Sequence, residues 1–450
     1  MAETFDLIVI GTGSGGSAPA YRCRAAGWRV AVVDELPYGG TCALRGCDPK
    51  KVLVGAADLA DWNRRMQGRG ITGDARISWS DLMRFKRSFT DLVPANREQA
   101  FEQAGIATYH GPGRFVSPDQ LSVDGQVLEA RHFVIAAGAK PRRLGVPGEE
   151  HLITSTAFLE LDQLPARIAF VGAGYISFEF AHVARRAGAQ ATIVGRGKPL
   201  QHFEQDLVAR LVNHTQSLGI ELRLDAEVTA IEPRGAGCRL RVNTERRTET
   251  VEADLVVHGG GRVPNTEGLD LGTANIATEP DGGVRVNEFL QSVTNPRVYA
   301  AGDAAAAPGS LPLTPVAAYE GVIVAANLVK GNTQRPDYGG IPSVVFTVPP
   351  LAGVGLTEAQ ARAQQLDIRV KVEDTSGWYS NRRVAEICAM FKVIVDPKTD
   401  RIVGAHLLGP HADEVINLFA LAIRSGVPAT DLRHLLYAYP TSGSDVPYMI

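Results

Sequence analysis

Cysteine is scarce in this chain: its 450 residues hold five, Cys23, Cys42, Cys47, Cys238 and Cys388. So thin a scatter excludes the disulfide framework of small secreted domains and makes any close pair a candidate for redox chemistry or metal binding. Long apolar runs are missing too; none approaches the roughly twenty residues that a spanning helix needs. The opening MAETFDLIVIGTGSGG has no basic segment, no long apolar core and no cleavage site of small residues. A secretory leader is therefore not expected, and a cytoplasmic location is. Neither sign of charge is in excess: 46 Lys and Arg stand against 49 Asp and Glu, a net charge of -3. That balance excludes a broad electrostatic footprint for nucleic acid or for an anionic membrane surface.

What is present is glycine, 47 residues of it, and a hydrophobic share of 45% against 21% charged. The composition is that of a globular enzyme with a large core, and the length predicts roughly two to four domains. Residues 5–10 (FDLIVI) are a short, nearly continuous apolar run, the pattern of a strand buried on both faces of a parallel sheet. Glycine-rich residues 11–16 follow, then a helical stretch over 17–26, Gly27, and a second apolar strand over 29–33 ending in Asp34. This is a βαβ unit. It returns at residues 167–171 (RIAFV), followed by Gly172-Ala173-Gly174, a helix over 175–187, Gly188 and a strand over 191–194. Further strands are predicted within 120–134 and over 221–224, 238–242 and 254–257. A strand at Val298 runs into Gly302-Asp303, with a helix over 315–329 behind it. After a polar linker at 331–340, strands near 343–347, 369–373, 389–396 and 402–408 and then helices give an α+β pattern, hence another domain.

Gly11, Gly13 and Gly16 lie between a strand and a helix, and Asp34 ends the next strand about 20 residues on, where a carboxylate can accept hydrogen bonds from a ribose. Side chains at the glycines would hold a pyrophosphate away from the N–H groups of the helix N-terminus. An ordinary tight turn is the alternative; the matching acid favours an adenine dinucleotide. At the second site Gly172 and Gly174 are kept and Ser177, still small, takes the third place. The strand behind it ends in Gly195-Arg196-Gly197-Lys198 without a carboxylate. Arg196 and Lys198 can pair with a 2′-phosphate, so NADPH is favoured over NADH, the alternative being two solvated surface cations.

Cys42 and Cys47 stand in GTCALRGCDPKK, residues 40–51. In a regular helix that spacing separates the Cα atoms by roughly 8 to 9 Å, beyond the about 7 Å limit of an unstrained disulfide. Gly39, Gly40 and Gly46 give the backbone freedom for Cys42 to sit at or before a helix start, where a bridge to Cys47 becomes possible. A thiolate at that N-terminus gains from the helix dipole and nearby cations. Zinc is the rival, but no second close pair of Cys or His accompanies the first. Two inert buried thiols are the remaining alternative.

Together these stretches resemble the flavoprotein disulfide reductases, the family of glutathione reductase, lipoamide dehydrogenase and mercuric reductase. GGTCALRGCDPKK is similar to their redox-active disulfide segment, and its paired lysines to the glutathione reductase version. VGAGYISFE is similar to their nicotinamide-domain entry, GGGRVPNT to their Gly-Arg-x-Pro-Asn-Thr stretch and VYAAGD to their second FAD motif. SVVFTVPPLAGVGLTE is similar to the opening of their dimerisation domain. The resemblance spans essentially the whole chain in order.

It implies an α/β fold: two Rossmann-like dinucleotide-binding domains, for FAD and NAD(P), plus a C-terminal α+β dimerisation domain. Their implied bounds are residues 1–149 with 269–335, residues 150–268, and residues 336–450. FAD and NADPH are the implied cofactors. By the same resemblance Tyr175 gates the nicotinamide pocket, Cys47 is the thiolate nearest the flavin, and Cys42 is the exposed thiol that attacks substrate. Lys50, with Lys51 as the adjacent candidate, would pair with Glu179 near the flavin. Gly13, Gly16, Asp34, Thr41, Ala137, Gly138, Asp303 and Thr314 match FAD-contacting positions. Gly11, Lys51, Gly172, Gly174, Gly261 and Arg262 complete the cofactor-binding set with Tyr175, Arg196 and Lys198.

The family's site is shared across a homodimer, a His-Pro-Thr segment of one chain meeting the disulfide of the other. This chain reads Tyr439-Pro440-Thr441, with Asp445 following and the usual Glu out of register. A phenol of ordinary pKa about 10 donates a proton but is a poor base at neutral pH. Tyr439 is thus a catalytic candidate, with packing at the dimer interface the alternative. Arg45 and Asp48 add charge around the cysteines and predict a more polar rim. No cysteine follows Cys388, so the C-terminal pair of mercuric reductase and the large thioredoxin reductases is absent. The tyrosine beside the cleft of glutathione reductase falls near Arg97. The expected function is an FAD-containing NADPH oxidoreductase passing electrons through Cys42 and Cys47 to a small disulfide or similar oxidised acceptor, with no metal, nucleic acid or membrane partner. Alternatives are a metal-ion or reactive-oxidant reductase of the same family and, from another class, a flavin-bound sensor without turnover. Both cysteines, the lysines and Tyr175 argue against the sensor.

Overall fold

A continuous run of aliphatic residues places the strand Glu3–Ile10 at the centre of a sheet, with Leu7, Ile8 and Val9 fully buried. The structure, a computed structural model, describes residues 2–245 and 247–450. The chain divides into two units, each assembled from three separated stretches. Met1–Lys50, Arg84–Arg142 and Arg262–Tyr338 make the first; Lys51–Met83, Arg143–Gly261 and Gly339–Ile450 make the second.

The first unit carries a seven-stranded sheet in the order Ala107–His110, Val30–Asp34, Glu3–Ile10, Gln126–Ile135, Gln120–Val123, Gly113–Ser117, with Val298–Ala300 also paired to Gln126–Ile135. The pairs around Glu3–Ile10 are parallel, and Ile10 stands opposite both Val33 and Ile135. That register brings the carboxyl ends of three strands level, the edge where open α/β sheets bind ligands. The helix Ser14–Ala25 starts inside the glycine run, three residues before the predicted 17, because the turn is closed by Gly11 to Gly13 alone. Gly11 has φ +103°, and a Cβ there would sit 2.3 Å from the Ala136 carbonyl oxygen. No other residue fits so tight a turn.

The second unit repeats the device: Gly172 has φ +114°, and its Cβ would meet the Gly259 oxygen at 2.2 Å. It opens the helix Tyr175–Arg186 after the strand Arg167–Val171, which lies in a parallel sheet ordered Glu221–Leu224, Gln190–Gly195, Arg167–Val171, Leu255–His258. A three-stranded antiparallel sheet, Ala226–Arg234, Gly237–Thr244 and Thr248–Ala253, accompanies it. The first and last of these strands were not predicted, since Glu, Thr and Arg fill their exposed faces. A five-stranded antiparallel sheet runs Ser343–Val345, Leu351–Gly355, Arg401–Leu408, Met390–Asp396, Arg369–Asp374. The helix Ala412–Ser425 packs on this sheet, setting Val415, Ile416 and Phe419 against Val354, Phe391 and Leu407. That burial is the hydrophobic stabilisation of the C-terminal region.

Candidate active site

Cys42, expected from the sequence at or before a helix start, is the third residue of a six-residue helix, Gly40–Arg45. Gly46, at φ -145° and ψ -112°, ends that helix, and Cys47 opens a new one of 20 residues, Cys47–Met66. A Cβ at Gly46 would come 2.9 Å from the Thr41 carbonyl oxygen, so glycine alone allows the sharp break. The break removes the regular-helix separation and brings the two thiols into hydrogen-bond contact. Both are free thiols here.

The pair is electrostatically split. The hydrogen bond from Cys42 pulls Cys47 down to about 6; burial opposes this, while the Thr314 hydroxyl and the Lys50 charge add to it and Asp48 subtracts. Thr314 Oγ1 lies 3.4 Å from Cys47 Sγ. Cys42 is pushed up, first by that same hydrogen bond and then by burial. One proton is therefore held on Cys42, with Cys47 as the thiolate at neutral pH. Asp48 Oδ1 accepts from Cys42 Sγ at 3.8 Å. Burial lowers the pKa of the partly buried Arg45, against which Asp34 acts.

The cysteine segment lies backbone to backbone on the glycine loop. Gly40 has φ +73°, and a Cβ there would fall 2.4 Å from Gly13 Cα. Thr12 ties the two together: its Oγ1 accepts from Gly39 N at 3.1 Å and donates to Asp34 Oδ2 at 2.7 Å. Asp34 also accepts from Thr12 N at 2.9 Å and Leu36 N at 3.0 Å, which leaves lone pairs on Oδ1 for a further donor. Thr41 is exposed beside Cys42. Gly138, at φ +69° with open space where a Cβ would stand, follows Ala137 and accepts from Asn265 N at 2.9 Å. Asp303 lies in the short turn Gly302–Ala304; burial raises its pKa and Arg262 lowers it. Arg262 itself donates to the Ala139 carbonyl.

Sequence reading missed Glu320. It is fully buried in the helix Thr314–Lys330, accepting from Gly302 N at 2.6 Å, Ser310 Oγ at 2.7 Å and Tyr338 Oη at 2.6 Å. It thereby fixes the turn that carries Asp303. The only signal was a carboxylate in an otherwise apolar helix.

The remaining predicted residues lie in the second unit. Tyr175, half-exposed, starts the helix capped by Gly174, and Glu179, one turn on, is buried with Oε1 accepting from Phe346 N at 2.8 Å. Lys51 is engaged elsewhere: its Nζ is 3.0 Å from Asp413 Oδ2 and 4.0 Å from the Phe346 ring centroid. Gly261 has φ +104°. Arg196 pairs at the surface with Glu227 at 2.9 Å, and Lys198 is exposed. Such exposed pairs exchange at little cost, so Arg196 can turn to another anion. Tyr439 is 82% exposed, beside Leu435 and Leu436.

These features fit a dinucleotide at the glycine loop of the first unit and another at that of the second. Comparison with known proteins decides the matter. Residues 5–321 match the family described as pyridine nucleotide-disulphide oxidoreductase, and residues 341–449 match its dimerisation domain. The chain belongs to this family. It is 33% identical over 439 residues to glutathione reductase of Burkholderia cepacia, covering 97% of this chain and 96% of that one. Mercuric reductase of Staphylococcus aureus is 31% identical over 445 residues, 97% of this chain and 80% of the relative. Among solved structures, the HOCl-induced flavoprotein disulfide reductase RclA from Escherichia coli matches with a TM-score of 0.87 at 26% identity, over 98% of each chain. This family member is thus a flavoprotein disulfide reductase of mixed α/β fold, with FAD and NADPH as its cofactors. Among the described residues no helix is long and apolar enough to cross a membrane.

Proposed function

We propose that this reductase passes electrons from NADPH to Cys42 and Cys47 and from them to a small disulfide, as a homodimer in the reducing cytoplasm. The observation that carries this is the split pair: a thiolate at Cys47, held by Cys42 and the Thr314 hydroxyl, beside a thiol at Cys42. The functional domains are assigned as residues 1–149 with 269–335 for FAD, 150–268 for NADPH and 336–450 for dimerisation.

FAD, when bound, supplies the two-electron relay between NADPH and the thiol pair. Without side chains, Gly11, Gly13 and Gly16 would let its pyrophosphate approach the first glycine loop and the helix N-terminus behind it. Asp34 would hold its ribose, and Asp303, fixed through Glu320 and Gly302, together with Thr41, Ala137, Gly138 and Arg262, would hold the rest of it. Gly172, Gly174 and Gly261 do the same work for NADPH, with Arg196 and Lys198 for its 2′-phosphate and Tyr175 over the nicotinamide. The lysine expected at the flavin is Lys50, because Lys51 is committed to Asp413 and Phe346.

In the acceptor half-reaction Cys42 gives its proton to the Cys47 sulfur or to water and attacks one sulfur of the substrate. The Cys42–substrate bond forms, the substrate S–S bond breaks, and one thiolate leaves and takes up a proton. Cys47 then attacks Cys42, closing the protein disulfide and releasing the second thiolate. Two electrons have moved from the pair to the substrate. Tyr439 Oη, from the partner chain, is assigned the donation of a proton to a leaving thiolate.

A second reading, reduction of a reactive oxidant or metal ion, is favoured by the Escherichia coli relative, described as HOCl-induced and as a Cu(II) complex. NADPH oxidation measured with low-molecular-weight disulfides, oxidants and metal ions, for the wild type and for Cys42→Ser, separates the two. Disulfide turnover that vanishes in Cys42→Ser supports the first. Turnover confined to oxidants or metal ions overturns it.

A further inference from the structure

Asp48 is a carboxylate hydrogen-bonded to the attacking thiol, its Oδ1 3.8 Å from Cys42 Sγ. It sits in the first turn of the helix Cys47–Met66 and is exposed, and Cys42 is partly exposed. Its negative charge bears on both thiols. The cations encoded nearby act chiefly elsewhere or on the other thiol. Arg45 senses Asp34 and Arg262, while the Lys50 charge bears on Cys47. Where the family presents a histidine, which can carry charge, this chain has the neutral Tyr439.

We infer that Asp48 makes the mouth of the thiol pair selective for charge, so that the acceptor is a small disulfide carrying ammonium groups close to its sulfur–sulfur bond. This rests on the disulfide reductase reading and names its substrate class. As a substrate sulfur approaches Cys42, groups two or three bonds from it come within several ångströms of the carboxylate. At that range a unit charge at a protein surface changes an encounter by roughly tenfold. An ammonium gains this factor and a carboxylate loses it. Among the described residues, no three His, Cys, Asp or Glu side chains gather into a group that could hold a metal.

The test uses the NADPH-reduced holoenzyme and two methanethiosulfonates of equal size, one ending in trimethylammonium and one in sulfonate. In each, the Cys42 thiolate forms a disulfide with the reagent as the sulfur–sulfonyl bond breaks and methanesulfinate leaves. Loss of free Cys42 reads the rate, because Cys47 then closes the protein disulfide with Cys42 and expels the reagent's thiolate. A change in the titration of Cys42 scales both rates alike, so their ratio isolates charge. The wild type should favour the cation; Asp48→Asn should cut the ratio about tenfold, Asp48→Glu should keep it, and added salt should shrink it. A ratio that Asp48→Asn leaves within about twofold of the wild type overturns the inference. Parallel turnover of cystamine and dithiodipropionate keeps the two readings apart. If the reagent ratio behaves as expected and neither disulfide is reduced, the reductase reading fails and the charge gate stands. If both are reduced equally by wild type and Asp48→Asn, the gate fails and the reductase stands.

Discussion

At the scale of single residues the chemistry turns on one shared proton. Cys47 is held at about 6 against an ordinary thiol value of 9.0. Because the folded value is the lower one, the thiolate's contribution is fully present above the ordinary thiol pKa and is lost as pH falls through about 6. The thiolate absorbance of the reduced enzyme should therefore disappear on acidification with a midpoint near 6, not near 9. Thr314→Val, which removes the hydroxyl 3.4 Å from Cys47, should move that midpoint upward. An unchanged midpoint would show that Thr314 does not hold the thiolate. The two cysteines, their spacing and the glycines around them were legible in the sequence. The contact of Asp48 with Cys42, and the influence of Asp34 on Arg45, were not. Both depend on where the helix breaks, and three glycines offered more than one place for it.

At the scale of elements, glycine positions and buried ion pairs decide what holds. The strand–turn–helix units could be read from periodicity because apolar runs bounded by glycine leave few alternatives. Buried polar networks left no such trace. Asp61, on the helix Cys47–Met66, is 1% exposed and binds Arg186 Nη2 at 3.0 Å and Arg65 Nε at 2.8 Å. Burial alone would raise its pKa, but the two guanidiniums outweigh burial and lower it. Asp61→Ala strands a buried guanidinium and should cost roughly 3–5 kcal/mol, read as a lower denaturation midpoint. Glu320→Leu leaves Gly302 N and two hydroxyls unpaired in the other unit. It should cost about 2–4 kcal/mol and weaken FAD retention, measured by release of free flavin fluorescence. Retention equal to the wild type would remove Glu320 from the positioning of Asp303.

At the scale of the whole molecule, one chain leaves apolar side chains uncovered. Leu436 is 97% exposed, and Leu435, Tyr439 and Leu421 lie more than half open, all within the dimerisation domain. Exposed apolar side chains gathered in one domain mark a surface that another protein covers. Leu436→Asp should shift the protein toward monomer in sedimentation and, on the proposed role of Tyr439 at a partner's thiol pair, lower turnover. A dimer that survives this change places the interface elsewhere. The sequence showed that such a domain exists, since its strands and helices follow a separate α+β pattern. It did not show that the chain leaves and re-enters its units several times. The crossings near Lys50 and Met83 fall within continuous helices and those near Arg142 and Gly261 at the ends of short strands, while the one near Tyr338 lies in the polar linker.

The most direct test of the account is anaerobic titration of the purified yellow protein with NADPH, following the visible spectrum. The split pair predicts that two-electron reduction stops at a form with a long-wavelength charge-transfer band. That band should fade as pH falls through about 6 and be missing in Cys47→Ser. Simple bleaching of the flavin without such a band, or a band that persists in Cys47→Ser, would contradict it.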